Sequence, residues 1–219
     1  MPTSTVENYL KAIYALADGV GREREGLVPV GGIAETLGLT SGTVTTMMKH
    51  LSRKGFIDYQ PRRGVRLTAE GERTALQVLR RHRLIELFLV EVMHLDWAHV
   101  HAEAEVLEHV LSERLVERID EMLGRPVSDP HGDPIPDAMG LMREDRSRRL
   151  SECEAGHYHL IRVTRDDPEF LDWLRDSGLR PGAALRVRDR DHLAGVIEIE
   201  IGEATRRIGD AVAADLWVE

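Results

Sequence analysis

Residues 33-IAETLGLTSGTVTTMMKHLSRKG-55 hold two short helical signals in close succession. The first, 33-IAETLGL-39, stops at Gly38; Thr40 or Ser41 caps the second, 43-TVTTMMKHLSRKG-55, which Gly55 ends. Val44, Met48 and Leu51 make an inward stripe, leaving Ser41, Thr43, Thr45, Thr46 and Lys49 on the polar side. Two short strands follow, 56-FIDYQ-60 and 65-VRLT-68, joined by the tight basic turn 61-PRRG-64. Two helices across a glycine turn, then a basic hairpin, are the parts of a winged helix-turn-helix. Residues 40–66 hold six Lys/Arg and one acidic residue, a phosphate-facing balance. Arg62, Arg63 and Arg66 suit phosphate or minor-groove contact better than base reading. The competing reading is a generic solvated surface; the ordered combination of helix pair, basic turn and second strand favours double-stranded DNA.

Upstream, 4-STVENYLKAIYAL-16 is a helix with Val6, Leu10, Ile13 and Leu16 on one stripe, and Ser4 and Glu7 spaced like a capping box. A charged, Gly-rich loop, 17-ADGVGREREGLVPVGG-32, separates it from the helix pair. The chain of 219 residues suits one to three small domains. Its net charge of −9 weighs against a nucleic-acid partner, but the charge is uneven. Residues 1–70 hold 9 Lys/Arg against 7 Asp/Glu, whereas residues 71–219 hold 20 against 31. A single cysteine, Cys153, excludes an intrachain disulfide framework. No apolar run spans a bilayer or resembles a signal peptide, so no membrane partner is expected and the cytoplasm is the expected compartment.

Downstream, 69–93 and 99–123 read as two long helices, the second carrying Val106, Leu107, Val110, Leu111 and Leu115. Their apolar surface exceeds what one small wing domain can bury, and a homodimer interface is a natural use for it. The second helix contains 101-HAEAEVLEH-109. At about 100° per residue, His101, Glu105, Glu108 and His109 fall within an arc of about 100°, while Glu103 points elsewhere. The preceding helix adds 82-HRLIE-86, where His82 and Glu86 are an i,i+4 pair. Buried carboxylates without a cation repel one another, so such a cluster is either metallated or open to water. Carboxylate and imidazole donors without thiolate suit Mn²⁺, Fe²⁺ or Zn²⁺. No HExxH, phosphate-binding glycine loop or G-x-S-x-G elbow is present, which leaves an enzyme reading little support.

Gly124 ends the helical part, and 125-RPVSDPHGDPIPDAMG-140, with four Pro and two Gly, opens a charged linker that runs to 152. Beyond it, 157-HYHLIRV-163, 184-ALRVRDR-190, 194-AGVIEIEI-201 and 205-TRRIG-209 read as strands, with a short helix, 168-PEFLDWLRDSG-178, between the first two. This predicts a small β-barrel of about seventy residues.

Taken together, 33–57, 65-VRLTAEG-71, 82-HRLIE-86, 101-HAEAEVLEH-109, 132-GDPIP-136 and 178-GLRPG-182 resemble the diphtheria-toxin-repressor family of metal-dependent transcriptional regulators over nearly the full length. The resemblance implies a mainly α chain: a winged helix-turn-helix DNA-binding domain (1–72), a helical metal-binding and dimerisation domain (73–142) and an SH3-like β-barrel (153–219). It implies a metal corepressor, dimers on palindromic operators of metal-handling genes, and about two metal sites per subunit. The ancillary site would use His82, Glu86 and His101; the primary site would use Glu105, Glu108 and His109, completed from the first helix.

Two regions bear on the family pattern, the 101–109 cluster and the first helix. Iron-sensing relatives place Cys where this chain has Glu105, and manganese-sensing relatives place Glu there; the harder donor favours Mn²⁺, with Fe²⁺ as the alternative. Relatives carry Met or Asp at Asn8, whose amide oxygen is a weaker ligand, so Glu7 is a second candidate to complete the site. Lys11 stands where shorter manganese relatives have Glu. Asp166 and Asp167 of 164-TRDD-167 are further candidates, from the third domain. Outside this family, the alternative is a winged-helix regulator that senses a small organic ligand.

Overall fold

A computed structural model describes residues 3–19, 26–143 and 146–219. Most of the charged insertion around 19-GVGREREG-26 lies outside the described residues. The chain divides into two compact units: one reaches to Arg81 and includes Pro136–Leu141, the other holds His82–Ile135 and Met142–Glu219.

The first unit opens with α1 (Ser4–Gly19), followed by α2 (Val30–Thr36), α3 (Ser41–Arg53), the hairpin β1 (Ile57–Gln60) and β2 (Gly64–Leu67), and the start of α4 (Ala69–Glu91). The expected capping box does not form at the head of α1. The Thr3 hydroxyl accepts from the Val6 amide at 3.4 Å instead, and the Glu7 carboxylate points to a distant arginine. Thr40 caps α3 through the Thr43 amide. Leu10, Ile13, Ile33, Val44, Met48, Leu51, Ile57 and Val65 close one core, which Ala75 of α4 joins. Gly64 is required where the hairpin turns: its φ is +143°, and a Cβ there would sit 2.5 Å from the Val28 carbonyl oxygen.

In the second unit the single helix expected over 99–123 is two, α5 (Val100–Leu107) and α6 (Glu113–Met122). Ser112, extended at φ −72° and ψ 151°, stands before α6. Leu84 of α4 packs with Val116 and Ile135, while Ile85 and Leu89 pack with Val100 and Ala104. The expected linker is ordered over much of its length, with a bridge between Ser128 and Pro134.

The C-terminal part comprises β3 (Arg148–Arg149), a 3-10 turn at Leu150–Glu152, β4 (Gly156–Val163), α7 (Pro168–Asp176), β5 (Ala184–Asp191), β6 (Val196–Ile201), β7 (Ala204–Gly209), α8 (Asp210–Ala214) and β8 (Leu216–Val218). The expected SH3-like β-barrel is corrected by the sheet. Six antiparallel strands run in the order β3-β8-β4-β5-β6-β7, and the sheet does not close. Closure needs hydrogen bonds between the two edge strands. Here one edge, β3, is only two residues long and pairs with β8 alone. The apolar face is covered by α7 instead, whose Phe170, Leu171 and Leu174 share a core with Leu160, Val187, Ile197, Ile199 and Leu216.

Candidate metal centre

His82, on α4, is the hub of a polar cluster in the second unit. Its Nδ1 lies 2.6 Å from Glu108 Oε2 and 3.8 Å from Glu105 Oε1. Its Nε2 lies 3.0 Å from Glu86 Oε1 and 3.2 Å from His101 Nδ1. His101 closes the triangle at 3.1 Å from Glu86 Oε1, and its Nε2 approaches Glu105 Oε1 at 3.6 Å and Asp166 Oδ2 at 3.7 Å. His109 Nε2 is 3.4 Å from Glu108 Oε1. Helical spacing accounts for this convergence: one turn of α4 stacks His82 over Glu86, and one turn of α5 stacks His101 over Glu105. Glu108 sits at the C-terminal cap of α5 and is buried.

Glu86 and Glu108 are 2% and 1% exposed, so their charges need compensation from within the protein or from a bound cation. Burial pushes the Glu86 carboxyl up, but hydrogen bonds from His101 and His82, with the nearby His82 and His131, outweigh it and hold it well below the usual carboxylate range. The same hydrogen bond to Glu86 raises the His101 imidazole against the lowering effect of burial. The donor atoms fit a bound cation. Ligands at about 2.1 Å from an ion and at right angles lie about 3 Å apart. His82 Nε2, Glu86 Oε1 and His101 Nδ1 are 3.0, 3.1 and 3.2 Å from one another. His82, Glu105 and Glu108 form a second group whose donor atoms lie within 4.8 Å of one another.

A third group, Glu86, Asp129 and His131, is buried throughout. Glu86 Oε2 faces His131 Nδ1 at 3.9 Å. His131 Nε2 donates to the Trp97 carbonyl at 2.9 Å, which leaves Nδ1 directed at the cluster, and the imidazole stacks on the Trp97 ring. Asp129 Oδ1 accepts from the amides of His131 and Asp133, and burial together with Asp133 and Glu86 pushes its carboxyl well up. Gly132 makes the bend possible: its φ is +88°, and a Cβ would stand 1.9 Å from the Ile161 carbonyl oxygen.

Comparison with known proteins gives this arrangement a family. Residues 1–65 match the iron-dependent repressor N-terminal DNA-binding domain, residues 68–137 its metal-binding and dimerisation domain, and residues 148–219 the FeoA domain. The iron-dependent repressor IdeR of Mycobacterium leprae is 35% identical over 197 residues, covering 84% of this chain and 83% of its own. This chain belongs to the iron-dependent (diphtheria-toxin) repressor family. It is a metal-dependent, DNA-binding transcriptional repressor and not an enzyme. The diphtheria toxin repressor of Corynebacterium efficiens is 38% identical over 195 residues, with 84% and 82% coverage. A manganese-dependent transcriptional repressor solved in complex with manganese superimposes with a TM-score of 0.88 at 36% identity, covering 98% of this chain and 99% of that one.

The remaining positions singled out in the sequence are distributed as follows. Glu7 and Asn8 lie on α1 in the first unit, apart in membership from the cluster of the second. Glu7 pairs with Arg81 at 2.7 Å, whereas Asn8 Oδ1 is buried and takes no hydrogen bond. On the repressor's α3, Ser41, Thr43, Thr46 and Lys49 are exposed and Thr45 is half-buried. Thr45 and Thr46 donate back to the Ser41 and Gly42 carbonyls of their own helix. Arg62, Arg63 and Arg66 are exposed on the wing; Arg63 donates to Gln60, and Arg66 pairs with Asp58 at 3.7 Å. Of the two aspartates in 164-TRDD-167, Asp166 reaches His101, while Asp167 is spent as the cap of α7 through the Phe170 amide. Sequence reasoning missed Asp129 and His131 as cluster members. The signal was there in 128-SDPHGD-133, two ligand-type side chains two apart in a rigid bend.

Among the described residues, no helix is long and apolar enough to cross a membrane. On α5 and α6 and the turn between them, Val106, Val110 and Leu115 are exposed.

Proposed function

We propose that this repressor is manganese-responsive: Mn²⁺ is its corepressor and favours dimers on palindromic operators of metal-handling genes, within the cytoplasm. The observation that carries this reading is the His82-centred cluster, which gathers buried carboxylates and imidazoles without a thiolate. In the primary site Glu105, Glu108 and His109 hold the ion, with Asn8 as the contribution of α1; the unengaged amide oxygen of Asn8 supports that role over Glu7. In the ancillary site His82, Glu86 and His101 hold it, with Asp166, Asp129 and His131 as the neighbouring donors. That makes two sites per subunit. A bound divalent ion supplies positive charge to the buried carboxylates and a cross-link between the elements that carry them.

Residues 1–72 serve as the DNA-binding domain, 73–142 as the metal-binding and dimerisation domain, and 153–219 as an accessory domain. Ser41, Thr43, Thr45, Thr46 and Lys49 face the major groove, and Arg62, Arg63 and Arg66 face the backbone. Val106, Val110 and Leu115 supply an exposed apolar face for the homodimer. Fe²⁺ is the second reading, favoured by the identity to IdeR. The test is fluorescence anisotropy on the DNA upstream of the repressor's own gene at fixed salt, with EDTA, Mn²⁺ or Fe²⁺. Tight binding only with Mn²⁺ supports the proposal; equal affinity in EDTA overturns it; a larger gain with Fe²⁺ selects the second reading.

A further inference from the structure

Glu7 and Asn8 are neighbours on α1 with opposite fates. Glu7 is 7% exposed and meets Arg81 of α4, itself 8% exposed, through a 2.7 Å contact between Oε1 and Nη2. Asn8 keeps an amide oxygen buried and without a hydrogen bond. The Glu7–Arg81 contact joins positions 74 residues apart. Around it α1 and α4 already share an apolar core, through Leu10, Ile13 and Ala75. Apolar packing tolerates small slides and rotations; a buried ion pair does not, because a shift of one helix leaves both charges desolvated. Buried charge at an otherwise apolar helix contact therefore sets register rather than adding attraction. Its place is telling, since the residue that follows Arg81 on the same helix is His82.

We propose that Glu7 is a positioning residue of the metal response and not a metal ligand: clamped by Arg81, it fixes the rotation and height of α1 on α4 and so sets where the Asn8 amide oxygen is presented. The inference rests on the reading of Asn8 as a primary-site donor. The clamp is made within the first unit by the chain itself, so the register of α1 does not wait for a cation. An arginine beside Glu7 also makes that carboxylate a poor partner for a second cation, since the guanidinium already occupies an oxygen at ion-pair distance.

The experiment uses the full-length protein as wild type, Glu7→Gln, Arg81→Met and the double variant. Two quantities are read well below the melting temperature: Mn²⁺ ions bound per chain, by calorimetric titration, and the Mn²⁺ concentration for half-maximal operator binding. The expected result is an unchanged ion count in every variant and a midpoint raised about tenfold by either single change, within the usual span of coupling effects. The double variant should match the larger single effect, because both changes break one interaction. A merely structural role would lower the melting temperature and leave the midpoint in place. Loss of one ion per chain in Glu7→Gln, with Arg81→Met unaffected, would make Glu7 a ligand and overturn the proposal, as would an unmoved midpoint. A wild type that binds DNA equally with and without Mn²⁺ would instead overturn the proposed function, and this inference with it. If Arg81→Met fails to fold, Arg81→Lys replaces it, with a smaller midpoint shift and the same ion count expected.

Discussion

Two regions along α4 bury carboxylates and treat them differently. At Glu7 the protein supplies its own permanent cation, Arg81, whose charge no physiological pH removes. At Glu86 the facing groups are His82, His101 and His131, whose positive charge depends on a proton. The first arrangement is complete as it stands. The second is compensated only conditionally, and its imidazoles are equally able to hand their lone pairs to a metal. One helix thus carries a fixed joint and, one residue later, an exchangeable one. A regulator needs both: an element that keeps its place so that a change at the other can be read.

The strongest way to break this contrast is Glu108→Ala. With Glu108 buried and 2.6 Å from His82, its loss should lower the Mn²⁺ effect on operator affinity by about 100-fold, toward the EDTA value in an anisotropy titration. Retention of the full effect would mean that the cluster is only a wet helix face. Next in size, the structure separates two histidines that the sequence ranked together. His82 belongs to two of the ligand groups and His101 to one. His82→Ala should therefore raise the Mn²⁺ requirement by about 30-fold and His101→Ala by about 5-fold, with the second deficit overcome by excess metal. Equal effects would collapse the two groups into one site. The smallest effect concerns selectivity. Glu105→Cys should raise activation by Fe²⁺ relative to Mn²⁺ by about 3-fold in paired anaerobic titrations, because sulfur suits the softer ion. An unchanged ratio would move the choice of metal to Asn8.

Local signals carried far in this chain. The glycine stops, the Thr40 cap and the apolar stripes of α1, α3 and α4 are short-range features, and the helices follow them. The cluster too was legible, because a helix turns i,i+4 spacing into proximity without any help from the rest of the fold. What failed needed long-range information. The 99–123 helix breaks, yet Val106, Leu107, Val110, Leu111 and Leu115 keep helical spacing through the break, so periodicity alone does not mark it. Alternation along β4 to β7 identifies strands but not whether the edges of a sheet meet, and β3 and β8 are too short to alternate visibly. Ser4 and Glu7 have the spacing of a capping box, but the partner that claims Glu7 lies on another helix. Asp129 and His131 sit in a proline-rich bend with no period to place them, and the contacts that hold it include partners far along the chain, among them Trp97 and the β4 backbone beside Gly132.

The stack of His131 on Trp97 has an optical consequence. The two rings lie 5.4 Å apart and 25° from parallel, and the imidazole is anchored to the carbonyl of that same tryptophan. Indole emission responds to the charge on a ring at this distance, and Trp97 is buried away from solvent quenchers. The repressor therefore carries its own fluorophore against its metal cluster.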